Sequence, residues 1–326
     1  MPFLPGRGSR REERQSEVAE RHGQWAGLGL ASHQRMLNLT VYGQTDIGLV
    51  RKTNEDAFIV ADLTNGNILK EQTIVRFQVG ERGVLLAVSD GMGGASAGEV
   101  ASAMVIESMR RSMTTPPPPG PGSAPVEQAA TTANHAVWTA AHEPGREGMG
   151  ATLTALHIQG TAVHIAEVGD SRAYLLRGGD ILQVTRDQSY VQLLIDAGAL
   201  TPEQAETAPL RNVIVHAMGM KPDVSVALGR LELRQRDCFL LCSDGLSKAV
   251  SAEEMRQVIL AAPRLDAACA TLIELAKQRG GDDNMTVLIA GVSGDLPPLV
   301  AGETIADTLQ ILQEPPAPGP RGASGA

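Results

Sequence analysis

The apolar run Val84-Leu85-Leu86-Ala87-Val88 stops at Ser89-Asp90-Gly91-Met92-Gly93-Gly94. This junction of a short hydrophobic stretch with a glycine-flanked acid constrains the chain more than any other feature. Five apolar residues punctuated by glycine suit a buried core strand. An acid at the end of such a strand sits on a rigid support. The neighbouring glycines leave room for other atoms to approach its carboxylate and the next carbonyl. Hard cations are held by oxygens of this kind. An Asp-Gly hairpin turn is the plain alternative. A phosphate loop fits less well, because the Lys-Ser/Thr that closes one is missing after Gly94.

The pattern returns. Cys238-Phe239-Leu240-Leu241-Cys242 runs into Ser243-Asp244-Gly245-Leu246, residues 161–168 run into Gly169-Asp170-Ser171-Arg172, and Asp282-Asp283-Asn284 precedes a strand starting at Met285. Each acid alone reads as a turn. Asp90, Asp170, Asp244 and Asp283 together are harder to dismiss, because carboxylates at the ends of adjacent buried strands repel one another unless divalent cations lie among them. Oxygen ligands without His or Cys indicate Mg²⁺ or Mn²⁺ and not zinc. Two such ions activate a water and clamp the oxygens of an in-line displacement. The polar stretch Thr45-Asp46-Ile47-Gly48-Leu49-Val50-Arg51-Lys52-Thr53-Asn54-Glu55-Asp56 adds an arginine suited to a two-pronged grip on phosphate.

Elsewhere the chain alternates between strand and helix signals. Strands are expected at 37–42, 57–61, 84–88, 152–156, 161–168, 174–176, 181–184, 213–217, 224–227 and 238–242, with another from 285. Helices are expected at 95–113, 126–142, 187–197, 201–206, 252–261 and 265–279. Thr201 is a natural helix cap with Pro202 at the first position. Residues 1–36 are polar, Gly-rich and mixed in charge and are expected to be disordered, with Met36 an alternative start. A folded domain is expected over 37–293. A Pro/Gly/Ala-rich tail should follow over 294–326, with one short helical pattern at 304–312, and a chain ending near Leu296 should fold unaided. The net charge of −9 over 326 residues argues against nucleic-acid binding. No apolar run approaches a membrane span. Cys238, Cys242 and Cys269 form neither a disulfide framework nor a zinc spacing, which suits the cytoplasm.

These motifs, in this order, resemble the metal-dependent Ser/Thr protein phosphatases of the PP2C family in their compact bacterial form. The likeness covers roughly residues 39–292 and includes Gly150-Ala151-Thr152. It implies an α+β fold, two antiparallel β-sheets packed as a sandwich with helices on both outer faces. It also implies hydrolysis of phosphoserine and phosphothreonine in proteins, opposing Ser/Thr kinases, by a monomer. By resemblance Asp90 bridges two core ions, Gly91 lends its carbonyl to the second, and Asp244 and Asp283 complete the first. Asp170 with Asp244 matches a third, weaker metal site. Arg51 grips the phosphate, Glu55 and Asp56 orient waters on the ions, and Asn284 completes the catalytic set. Animal relatives carry His where Met92 stands, and the family's Asp-His-Ser is Asp187-Gln188-Ser189 here. Residues 188–220 match a variable flap.

Other phosphatase chemistries lack their residues. Six positions after Cys242 stands Lys248, not the arginine of a Cys-x5-Arg loop, and the seven histidines form no metallophosphatase cluster. The remaining alternative is a non-catalytic binding module on the same fold, but such relatives usually lose ligand acids, and this chain keeps them.

Overall fold

The computed structural model describes residues 36–69, 72–93, 97–115 and 125–315. The segment before Met36, Gly94, the Pro-rich loop at 116–122 and the last residues of the expected tail lie outside them. Along the chain come β1 (Leu37–Asp46), β2 (Asp56–Asp62), β3 (Ile68–Leu69), β4 (Val75–Gln78) and β5 (Val84–Met92). The helices α1 (Ala97–Thr114) and α2 (Pro125–Ala141) follow, then β6 (Gly150–Ala151), β7 (Leu153–Gln159), β8 (Ala162–Val168), β9 (Arg172–Arg177) and β10 (Asp180–Gln183). The short helices α3 (Tyr190–Asp196) and α4 (Pro202–Glu206) precede β11 (Ala227–Glu232) and β12 (Cys238–Cys242). The chain continues with α5 (Asp244–Ser247), α6 (Ala252–Ala261), α7 (Leu265–Gln278), β13 (Met285–Gly294), α8 (Ile305–Thr308) and β14 (Leu309–Gln313).

Two antiparallel sheets result, as expected. One runs β10-β9-β12-β13-β1-β4 and the other β14-β11-β8-β7-β5-β2-β3, with β6 paired to β5. Strand alternation explains the layering. Leu86 and Val88 of β5 face Leu39, Val41, Leu241 and Leu288 of the other sheet in the core of the sandwich. Leu85 and Ala87 of the same strand face Val105, Met109 and Ala133 of α1 and α2. On the opposite side, Leu240, Val287 and Ile289 pack on Met255, Leu272 and Ala276 of α6 and α7. Because β5 is apolar on both faces, it reads in sequence as an unbroken hydrophobic run.

Several expectations need correcting. β5 does not end at Val88. It continues through Asp90 to Met92 because Gly91 and Met92 pair with Ala151 and Gly150 of β6. Residues 213–217 form no strand and contribute only an isolated bridge between Ile214 and Ser189. The strand expected at 224–227 lies at Ala227–Glu232, beside β8. Gly229 and Arg230 conceal it in sequence, and the pairing with β14 shifts register at Leu228/Gly229, as glycine in a strand often signals. Thr201 caps α4 through Gln204, with Pro202 in the first turn, as expected.

The segment after Gly294, expected as a tail, is part of the structure. Leu296 and Ile305 are buried in the sandwich core. The periodic pattern at 304–312 is a helix only to Thr308, after which Leu309–Gln313 adds an edge strand to β11. Arg177 and Asp237, with side chains only 2% and 0% exposed, form a paired ion bridge. The Arg177 guanidinium also donates to the Thr308 hydroxyl at 2.6 Å and to the Glu232 carbonyl at 2.8 Å. Glu303 grips Arg234 with both carboxylate oxygens. A chain ended at Leu296 would lose the burial of Ile305 and one partner of a buried charge. The expected cost is about 3 kcal/mol, a fall in Tm of roughly 6–12 °C. Thermal melts of the truncated and full chains check this, and equal Tm values would show that the segment contributes nothing.

Candidate active site

The expected acids converge at one end of the sandwich. Asp56 of β2 and Asp90 of β5 are direct cross-strand partners, so their side chains share one face of the sheet. The charges of Asp56, Asp244, Asp170 and Asp283 all bear on Asp90. Asp170 occupies the turn between β8 and β9, Asp244 opens α5, and Asp283 stands two residues before β13. Both sheets therefore contribute.

Burial dominates the electrostatics. It pushes the Asp90 carboxyl well above its ordinary range, with Asp56 and Asp244 adding to the effect. Burial likewise raises Asp56 to about 7, against the pull of the Ser243 hydroxyl that donates to it at 2.6 Å. Asp170 also rises to about 7, from burial first and Asp244 next. One oxygen each of Asp56, Asp170 and Asp244 is shut off from water with no hydrogen-bond partner. Buried polar atoms are normally satisfied, so three partnerless carboxylate oxygens on neighbouring acids stand out. Among the described residues no three Asp, Glu, His or Cys side chains already converge on one ion position. Arg51 instead donates to Asp283 at 2.8 Å, and Lys248 pairs with Asp244.

The supports of these acids explain their placement. Asp90 is held through Thr152, whose hydroxyl accepts the Asp90 N–H at 2.9 Å and whose N–H donates to the Asp90 carbonyl at 2.8 Å. The Thr152 hydroxyl also meets Ser171 at 2.7 Å, beside Asp170. Ser243 accepts the Thr286 N–H while donating to Asp56, which ties β12, β13 and β2 together. The Asn284 side chain, expected in the catalytic set, is engaged with the backbone of the loop that carries Arg51. Its amide donates to the carbonyls of Ile47 and Thr53 and accepts the Glu55 N–H, while the Asn284 backbone N–H donates to the Asp283 carboxylate at 2.8 Å. It fastens the loop that carries Arg51. Gly48 in that loop has φ +79°, and a Cβ there would lie 2.3 Å from the Asp283 carbonyl oxygen. Only glycine permits this approach.

Glu55 gives its carbonyl to the Gly91 N–H at 3.0 Å. Its carboxylate lies against Gly98 in the first turn of α1, where a Cβ would meet it at 2.6 Å. Gly91 is equally crowded, because a Cβ there would lie 2.0 Å from the Gly98 carbonyl oxygen. Met92 pairs with Gly150 at the strand end and has no proton to give. Arg172 clasps Asp187 through two nitrogens at 2.8 and 2.7 Å, joining β9 to the start of the expected flap. The far end of the flap is held by the buried Asn134, which accepts the Gly219 N–H and donates to the Lys221 and Pro222 carbonyls. The roles of Thr152, Ser243, Arg172 and Asn134 escape the sequence reading, although three of them stand inside motifs that it singled out.

Comparison with known proteins places the chain. The protein phosphatase 2C family model matches residues 67–285. The serine/threonine protein phosphatase PstP of Mycobacterium tuberculosis is 38% identical over 280 residues, 84% of this chain and 50% of the relative. The chain thus spans about half the length of that relative. The protein phosphatase PhpP of Streptococcus pneumoniae is 32% identical over 264 residues, 76% of this chain and 96% of the relative. The crystal structure of a PstP catalytic domain in complex with two manganese ions superposes with a TM-score of 0.64 at 37% identity, covering 79% of this chain and 99% of that one. With its sheets, its strand-end acids and these relatives in agreement, the chain belongs to the protein phosphatase 2C family.

Proposed function

We propose that the chain is a metal-dependent serine/threonine protein phosphatase that removes phosphate from phosphoserine and phosphothreonine in proteins and so opposes Ser/Thr kinases in bacterial signalling. The observation that carries this reading is the convergence of Asp56, Asp90, Asp170, Asp244 and Asp283, with three buried carboxylate oxygens lacking partners. The names of the mycobacterial and streptococcal relatives support it. So do the two manganese ions of the PstP catalytic domain.

The donor set fits hard divalent ions, Mn²⁺ or Mg²⁺, because it is made of oxygens alone. Asp90 would bridge two core ions, the Gly91 carbonyl would serve the second, and Asp244 and Asp283 the first. The resemblance would put a third, weaker ion at the Asp170–Asp244 edge, where the Lys248 ammonium already lies against Asp244. When bound, such ions acidify a water and neutralise charge that develops on the transferred phosphoryl group. The residues of the chain do the rest. Glu55 and Asp56 orient water, Asp56 being itself fixed by Ser243. Arg51, half-exposed at the rim, turns from Asp283 to grip two phosphate oxygens. Asn284 keeps the Arg51 loop in register with Asp283. Since the Met92 side chain has no proton to give, the leaving alkoxide takes its proton from water or another group. The described residues include no helix long and apolar enough to cross a membrane, and Cys238, Cys242 and Cys269 are free. Free thiols suit a reducing compartment such as the cytoplasm.

Release of phosphate from para-nitrophenyl phosphate tests the reading. EDTA is expected to abolish turnover and Mn²⁺ or Mg²⁺ to restore it, whereas full activity after exhaustive chelation would refute it. Absence of turnover at any metal concentration would favour a binding module. The Arg51→Ala substitution is expected to raise KM for a phosphopeptide roughly 10- to 100-fold, the loss of a charge-assisted grip. Mn²⁺ affinity measured by calorimetry should barely change. If the ions were lost with it, Arg51 would be a structural support of Asp283 and not the phosphate grip.

A further inference from the structure

Lys248 is the C-cap of the one-turn helix that begins at Asp244. The i,i+4 spacing lays its side chain back over that acid. The ammonium pairs with Asp244 Oδ2, and the Lys248 N–H donates to the Asp244 carbonyl at 2.8 Å, so the residue is tied to Asp244 at both backbone and side chain. Asp244 Oδ1 meanwhile stays buried without a partner, as does Asp170 Oδ1 across the same edge. Among the described residues Lys248 pairs with Asp244 alone, and after burial and Asp244 the charges of Asp170 and Asp90 also bear on it from further off. Arg172, the other cation that bears on Asp170, is already committed to Asp187 through a two-pronged bridge. The Lys248 side chain keeps 38% of its surface in solvent, which sets it at the rim of the cluster.

This geometry divides the labour of Asp244 between its two oxygens, one on an ammonium and one open. Resting on the two-ion reading above, we propose that the Lys248 ammonium is a built-in third cation: it occupies the Asp170–Asp244 edge in place of a weakly held divalent ion and leaves Asp244 Oδ1 and Asp90 to the core pair. A tethered cation gives up little freedom on binding, because the chain already confines it next to its partner. A free ion competing for the same edge would have to displace it and shed its own water. The chain is therefore built to saturate with two ions, and its third site is closed by its own side chain.

Counting bound ions tests this without recourse to turnover. The full chain is dialysed to equilibrium against rising Mn²⁺, and free Mn²⁺ is read from its electron paramagnetic resonance signal. The expected result is two ions per wild-type chain up to millimolar Mn²⁺. Lys248→Ala is expected to gain one further, weakly held ion. Lys248→Arg, which keeps the charge, should stay at two. Adding Asp170→Asn to Lys248→Ala should remove the extra ion, which places it on that edge. Circular dichroism melts confirm that each variant is folded, and Lys248→Gln serves if the alanine variant is not. Three ions on the wild type, or two on both wild type and Lys248→Ala, would overturn the role given to Lys248 and leave the two-ion centre standing. No ion on any of them would overturn both.

Discussion

Like charges at close quarters govern this molecule. Asp56 and Asp90 are direct partners in a register fixed by the core on both faces of the sheet, so neither can move aside without shifting a whole strand. Burying such groups opposes folding. Ser243 on Asp56, Lys248 on Asp244 and the Asn284 N–H on Asp283 offset part of the cost, while Thr152 holds the backbone of Asp90 in place. What these partners leave unsatisfied is what suits the cluster to cations. The apolar sandwich is in this sense the device that forces the acids together, and the chemistry is a consequence of that confinement.

Asp90, Asp170 and Asp244 were legible in sequence because each lies beside a glycine at the end of an apolar run, and Asp283 because it stands beside Asn284 just ahead of one. Their supports were not, because those act over long separations in the chain. Thr152 reaches Asp90 across 62 residues, and Asn284 reaches Glu55 across 229. No local pattern distinguishes a threonine that braces a carboxylate from one that fills a strand. The same limit explains the misread elements. Residues 304–312 have helical spacing, yet pairing with β11 turns the second half into a strand. β11 itself, interrupted by Gly229 and Arg230, is a strand because β8 and β14 flank it.

The buried Arg177–Asp237 pair shows polar groups serving a different end. Removing one partner of such a pair is costly, while the pair itself adds little to stability. Here it joins β9 to the turn before β12 and, through Thr308, to the last helix. The arrangement ties the segment that carries Ile305 to the end of β9.

That segment also forms the rim of a sheet. β14 covers one side of β11, and it is the outermost strand, with Ile311 and Leu312 more than half exposed. Were it to peel away, the six residues of β11 would present bare amide and carbonyl groups along a free edge, a surface that invites pairing with another chain. The same strand from a neighbouring molecule would satisfy that edge equally well. The element that holds this part of the fold together is thus also what keeps β11 from offering such an edge.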